Sequence, residues 1–241
     1  MSMITSLLRV NSLPNGYLEE EKALINGFDE RQWIKLLNRR VQHYGFEFVY
    51  GANNVDRARK LGDMPEFLSS IIQSKGSFCV NDTIGIEEKL KRFTFNERNE
   101  VIEAPEEGSE AITSFLDKYG SFDQLTINDY QPGQGIPPHV DTHSPFEEIF
   151  VSLSLKSGVS MNFRTPEGVQ KDVYLMPRSL LLFSGEARYN YLHSISTRKL
   201  DKVDGVLRFR HRRLSLTFRK LKTDGGPCTC RFPKLCDSQN S

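Results

Sequence analysis

Net charge is almost absent from this chain: 32 Lys and Arg stand against 31 Asp and Glu. A nucleic-acid partner would therefore have to be held by local clusters of cations, because bulk charge supplies no attraction. Long apolar runs are missing as well, and none approaches the roughly 20 residues that cross a bilayer as a helix. Met1 to Asn15 carries a brief apolar patch (Ile4, Leu7, Leu8) without the charged start and extended apolar run of a secretory signal. No membrane partner is expected, and the expected location is the cytoplasm, with the nucleus also open. No internal repeat is visible. Cysteine is scarce, four in 241 residues, and Cys228, Cys230 and Cys236 crowd the end of the chain. In a reducing compartment such crowding favours a metal over a disulfide framework. The leftover Cys79 reads as a buried thiol.

Histidine is also rare, with five in all, yet two of them belong to Gln134-Gly135-Ile136-Pro137-Pro138-His139-Val140-Asp141-Thr142-His143. In an extended segment the i, i+2, i+4 spacing turns His139, Asp141 and His143 to one face. Two prolines stiffen the approach, and Gly133 and Gly135 permit a bend before it. A His-x-Asp pair plus one distant His is the 2-His-1-carboxylate set, which leaves open positions on Fe(II). His193 is the natural third member, since His43 sits among aromatics and His211 among arginines.

The rest of the chain divides by period. Residues 17 to 38 mix apolar and charged side chains at helical spacing, with Leu18, Leu24, Ile25, Trp33, Leu36 and Leu37 expected inward. Residues 64 to 73 and 107 to 119 read as amphipathic helices flanking an exposed insertion at roughly 74 to 106. Between Arg39 and Tyr50 the aromatics Tyr44, Phe46, Phe48 and Tyr50 alternate, which indicates a strand with one aromatic face. Its rings belong to an ordinary core strand or to a pocket wall where a base stacks beside phosphate-facing arginines. After residue 120 come short strands at 125–131, 148–155, 159–164, 169–176, 179–184, 189–196 and 213–221, the spacing of a sandwich or barrel. The last of these places Arg213, Ser215, Thr217 and Arg219 on one face and Leu214, Leu216 and Phe218 on the other. Inside a barrel, two guanidiniums on that polar face would hold a small diacid in bidentate geometry. Fe(II) with a diacid clamp suggests 2-oxoglutarate, and Asn128 and Tyr130 would add neutral hydrogen bonds.

Asn-x-Tyr at 128 and 130, His-x-Asp at 139 and 141, His193, and Arg213 with Arg219 occur in the order found in the AlkB-type Fe(II)/2-oxoglutarate dioxygenases, a family this chain resembles from about residue 39 onward. The resemblance implies a mainly β fold with flanking helices (α+β) around a double-stranded β-helix, or jelly-roll, core. It puts His139, Asp141 and His193 on iron and Asn128, Tyr130, Arg213 and Arg219 on 2-oxoglutarate. The run from Gly133 to Ser144, Arg39 to Phe48, and the tail Pro227 to Gln239 are similar to the branch that hydroxylates the modified wobble uridine of tRNA. In that branch His143, Cys228, Cys230 and Cys236 would bind a structural zinc, and three thiolates with one imidazole do form the closed tetrahedral set Zn(II) prefers. The implied organisation is one oxygenase domain: 1–120 helical support, nucleotide-recognition lid and insertion; 121–222 the core; 223–241 the zinc-binding tail. The implied reaction is hydroxylation of 5-methoxycarbonylmethyluridine in a tRNA substrate by a monomer, with a separate RNA-binding or methyltransferase partner possible. Arg39, Arg40, Tyr44 and Phe46 are the candidate substrate contacts, and Arg208 to Arg212 candidate phosphate contacts. Oxidative N-demethylation of alkylated bases and a non-catalytic RNA-binding module are the alternatives.

Overall fold

The strands of this fold are built by period-two patterning. The computed structural model describes residues 7–10, 22, 25–28, 32–49, 54–64, 90–95, 101–104, 122–223 and 226–239. In chain order the strands are β1 (Leu7–Val10), β2 (Ile34–Leu36), β3 (Arg39–Val49), β4 (Asn54–Lys60), β5 (Leu90–Phe95), β6 (Val101–Ala104), β7 (Gln124–Tyr130) and β8 (Ile136–His139). They continue as β9 (Phe150–Leu155), β10 (Val159–Arg164), β11 (Gln170–Leu175), β12 (Ser179–Phe183), β13 (Leu192–Ile195), β14 (Leu200–Val203), β15 (Val206–Phe209) and β16 (Arg213–Arg219). A short helix, α1 (Gly185–Tyr189), precedes β13.

The major sheet runs β2-β3-β7-β16-β9-β12-β1-β5-β6, with β4 paired to β3, and the minor sheet runs β11-β10-β13-β8. Together they form the jelly-roll core that the family resemblance implies, within the sandwich-or-barrel class that the short strands indicate. One face of the major sheet buries Leu125, Ile127, Leu153, Leu214, Leu216 and Phe218, covered by Phe28, Ile25 and Trp33. A second cluster, including Phe150, Met161, Phe163, Phe183 and Ile195, fills the space between the sheets. Each such side chain contributes about 1.5–3 kcal/mol by leaving water.

Among the described residues of the first 120, strands take most of the places where helical support is expected. Lys22, Ile25 and Asn26 are helical, but Ile34–Leu36 is a strand that pairs with β3, so the helical spacing up to residue 38 misleads. Leu37, expected inward, sits in the β2–β3 turn at 94 % exposure, while Trp33 does pack against the core. Within the insertion, β5 and β6 form a hairpin that extends the major sheet through β1. Leu18, Leu24, Tyr50, Cys79, residues 65–73 of the helix expected at 64–73, and the helix expected at 107–119 lie outside the described residues.

The single aromatic face of β3 also fails. Tyr44 joins the outer cluster with Leu125, whereas Phe46 and Phe48 pack against the inter-sheet cluster. The cause is Gly45, at φ +76, where an added Cβ would lie 1.9 Å from the Asp123 carbonyl oxygen. Just past this left-handed glycine the register of β3 against β4 shifts between Phe46 and Glu47, the mark of a bulge, and a bulge exchanges the faces of the strand around it. Gly45→Ala is therefore expected to destabilise the fold by about 2 kcal/mol or more, from backbone strain plus a contact that cannot relax. A urea midpoint equal to that of the unaltered protein would contradict this account.

Candidate active site and metal centre

A cavity of about 290 Å³ lies between the two sheets, walled by β7 and β16 on one side and β8 and β13 on the other. Its position follows from strand register. His139 pairs directly with His193 across β8 and β13, and their rings stand 4.2 Å apart. Gly135 makes the pairing possible, since a Cβ there would fall 2.1 Å from the Ile195 carbonyl oxygen. His139 Nδ1 lies 2.9 Å from the Pro137 carbonyl and donates to it, which leaves Nε2 with a lone pair toward the cavity. His193 sits between Phe163 and Phe183. Burial, with His139 beside it, pushes its imidazole down to about 3, so it is neutral and able to ligate at neutral pH.

Asp141 lines the same cavity. Burial alone would raise its carboxyl, but Arg219, His193, His139 and Arg188 outweigh that and hold it far below the usual carboxylate range. Arg219 Nη2 donates to Asp141 Oδ1 at 3.1 Å, and Arg219 Nη1 donates to Gln124 Oε1 and Thr126 Oγ1.

Arg213 differs. Its Nη2 donates to Ser154 Oγ at 2.8 Å, but Nε and Nη1 have no partner although the residue is 3 % exposed. Burial pulls this guanidinium down to about 10. Unpaired donors on a buried cation cost several kcal/mol unless an anion supplies the acceptor. Asn128 and Tyr130 share the wall, and Asn128 Oδ1 accepts from Arg39 Nε at 2.9 Å. The sequence suggested that both arginines grip one diacid. Six residues at about 3.3 Å each separate their Cα atoms by roughly 20 Å; Arg219 holds Asp141 through Nη2 and leaves Nε without a partner, while Arg213 presents Nε and Nη1.

A second cluster lies behind the first. The donor atoms of His143, Cys228, Cys230 and Cys236 all fall within 4.8 Å of one another, the one such group among the described residues. The His139, Asp141 and His193 set is more open, with Asp141 drawn toward Arg219. Burial, followed by Arg188, takes His143 down to about 4. Asp237 binds the tail to the loop by accepting from the backbone N–H groups of His143 at 2.8 Å and Ser144 at 3.1 Å, and from the Ser144 hydroxyl.

Arg188 connects the two clusters, and sequence reasoning missed it. It is 2 % exposed, and Nη1 and Nη2 donate to the backbone carbonyls of Asp141 at 2.7 Å and Thr142 at 2.8 Å. Its guanidinium lies over Phe150 at 4.1 Å and Tyr189 at 4.8 Å, and Tyr189 meets His143 edge-on. A lone arginine in a polar helix carries no sequence signal for such a role.

Among the expected substrate contacts, Arg39 and the neighbouring Phe48 line the cavity, and Phe46 packs beside it. Arg40 and Tyr44 do not, because they occupy the opposite face of β3. Arg40 pairs with Asp129 at 2.7 Å and stacks over Trp33, and Tyr44 is buried in the outer core. Two of the expected phosphate contacts are likewise committed elsewhere: Arg210 forms a buried pair with Asp201, and Arg212 forks onto Asp129. Asp129 and Asp201 are the buried acids that explain the basic run.

A family profile described as the 2OG-Fe(II) oxygenase superfamily matches residues 84–219. The chain belongs to that superfamily and is a 2-oxoglutarate-dependent oxygenase, with Fe(II) and 2-oxoglutarate as cofactors. Within it the chain is of the AlkB type and similar to the ALKBH8 branch. It is 39 % identical over 239 residues to an Arabidopsis thaliana protein named Alkylated DNA repair protein ALKBH8 homolog, covering 91 % of this chain and 59 % of that one. It is 35 % identical over 259 residues to the Xenopus tropicalis tRNA (carboxymethyluridine(34)-5-O)-methyltransferase alkbh8, covering 95 % of this chain and 35 % of that one. The chain thus spans about three fifths of the plant relative and a third of the animal one. The structure of OsALKBH1 shares the fold, with a TM-score of 0.54 at 16 % identity over 91 % of this chain and 99 % of that one.

Two outcomes follow. Arg188→Met should lower stability by about 2–4 kcal/mol, because two buried carbonyls lose their donors; urea denaturation checks it, and an unmoved midpoint contradicts it. His43, also held at about 4 by burial with Arg219 and Arg39, joins His143 and His193 as imidazoles neutral in the folded state. Their folded values lie below the unfolded value near 6.5, so acid favours the unfolded chain. The melting temperature of the metal-free protein should hold above pH 6.5 and fall as pH drops toward 4.

Proposed function

We propose that the chain hydroxylates a modified wobble uridine of tRNA, 5-methoxycarbonylmethyluridine, using Fe(II) held by His139, Asp141 and His193. The observation that carries the site assignment is the cavity these three share with Arg213, whose buried and unpartnered N–H donors fit a carboxylate of 2-oxoglutarate. Asn128 and Tyr130 would orient the same molecule. In the second cluster His143, Cys228, Cys230 and Cys236 would hold Zn(II), which suits three sulfurs and one nitrogen in a closed set. The tRNA assignment draws on the animal relatives' names, which specify carboxymethyluridine at position 34 of tRNA.

When bound, Fe(II) and 2-oxoglutarate couple decarboxylation of the cosubstrate, to succinate and CO2, with insertion of one oxygen atom of O2 into a substrate C–H bond. The chain's own part is positional. The His139 Nδ1–H to Pro137 bond turns Nε2 inward, Arg219 and Arg188 fix Asp141 by side chain and backbone, and the apolar walls at Phe183, Met161 and Ile195 exclude water. Phe48 and Arg39, on the stretch of β3 facing the cavity, are placed for a base removed from its stack and for its flanking phosphate.

With Fe(II), 2-oxoglutarate and total tRNA, His139→Ala should abolish RNA-dependent succinate formation, and nucleoside mass spectrometry should show the hydroxylated uridine only with the unaltered protein. Formaldehyde from a methylated base, with no hydroxylated uridine, would instead establish N-demethylation. Arg213→Met should raise the KM for 2-oxoglutarate roughly a hundredfold, the loss of two charge-assisted hydrogen bonds, while metal content stays unchanged. Purified protein should carry one zinc, lost in Cys236→Ser; a zinc-free preparation of full stability would remove the zinc assignment.

A further inference from the structure

β14 and β15 form a two-stranded ribbon that belongs to neither sheet of the core. It is inserted between Ile195 and Arg213, two residues that line the cavity. Asp204 and Gly205, at φ +50 and +81, make its tight turn, the left-handed pair a two-residue hairpin demands. Register sets its faces. Leu200 lies opposite Phe209 and Lys202 opposite Leu207, so these four share one side, and all four are exposed. Phe209 is 73 % and Leu207 64 % exposed, the most solvent-open aromatic and one of the most open leucines among the described residues. The other side carries Asp201 and Arg208 and faces the body, where Arg208 lies over the Tyr174 ring.

An isolated two-stranded ribbon is marginal in water, yet this one has a rigid root. Asp201, 1 % exposed, accepts from Arg210 Nε and Nη2, both at 2.7 Å, from Arg198 Nε at 2.9 Å and from the Ser160 backbone N–H at 3.1 Å. Arg210 Nη1 also donates to the Ser196 carbonyl. The fold thus commits a buried ion-pair network to holding out a face that buries nothing of its own. Around that face Lys199 and Lys202 are exposed, as is His211. Asp201 is consumed within the root, which leaves Asp204 as the one exposed acid between residues 198 and 212.

We propose that this hairpin is an RNA-docking surface: an unpaired base stacks on Phe209, with Leu200 and Leu207 flanking it, and Lys202 and Lys199 contact the adjoining phosphates. An apolar ring surrounded by cations matches an unpaired nucleotide in both its π-face and its charge. A protein partner would match the apolar side chains and not the cations. The proposal rests on the RNA substrate reading above and adds where, outside the cavity, the RNA is held.

The test uses a fluorescein-labelled anticodon stem-loop RNA with the full chain loaded with Mn(II) and 2-oxoglutarate, read by anisotropy at two salt concentrations. Phe209→Ala should weaken binding by about tenfold or more, the loss of one stacked base. Lys202→Glu should weaken it and flatten the salt dependence. RNA-independent consumption of 2-oxoglutarate should be unchanged in both, since neither residue touches the cavity. If the unaltered protein binds the RNA and both variants bind it equally well, the hairpin assignment falls and the substrate reading stands. If the unaltered protein binds no RNA at all, the substrate reading falls and takes the hairpin with it. If the unaltered protein is a dimer by light scattering that Phe209→Ala disperses, the face is an interface between copies and the RNA assignment is overturned.

Discussion

The pairing of β16 with β7 fixes where the polar groups on one wall of the cavity point. The two strands are in register from Arg213 opposite Tyr130 to Arg219 opposite Gln124, without a shift. Because side chains alternate, one parity places Asn128, Tyr130, Arg213 and Arg219 in the cavity, and the other places Leu125, Ile127, Leu214, Leu216 and Phe218 in the outer core. A slip of β16 by one residue would turn Arg213, Ser215, Thr217 and Arg219 among leucines and Leu214, Leu216 and Phe218 to a wet cavity, at several kcal/mol for each buried unpaired polar group. β9 repeats the constraint from the other side, pairing Ser154 with Ser215, which brings the Ser154 hydroxyl to Arg213. Register at the centre of the sheet is thus held by both faces at once, and the cavity inherits its geometry from it.

Cations are managed in two distinct ways. Arg210 and Arg212, whose sequence setting looks like a nucleic-acid patch, are neutralised by Asp201 and Asp129 and serve the scaffold. Arg188 and Arg213 are as buried as Arg210 but face carbonyls, rings or open space. Buried charge without a full counter-charge is retained where something must be positioned, since an apolar residue of the same volume would be at least as stable. The contrast separates structural arginines from those at the site, which the number of basic residues cannot do.

Much of the site is legible in the order of residues because strand parity is local. Knowing that Arg213, Ser215, Thr217 and Arg219 share a face needs no tertiary information, and β10 begins and ends where alternation places it. Other features are set by contacts distant in sequence. Ile34 to Leu36 lies in a run of helical spacing but becomes strand because β3 offers an edge, a tertiary effect that overrides propensity. The parity of β3 breaks at Gly45 because Asp123 comes within contact distance of that point, so Tyr44 and Arg40 leave the cavity face while Phe48 enters it. Arg188 was invisible because its partners are main-chain carbonyls, which every residue possesses.

Arg188 grips Asp141 and Thr142 by their backbone oxygens, and Asp237 grips His143 and Ser144 by their amides. The loop's path is therefore specified without reference to the side chains it displays. Such a loop behaves as a socket: position 141 can be given a different functional group, or none, while the backbone keeps its course. The chemistry of this chain is accordingly open to exchange by redesign at one position without a new scaffold.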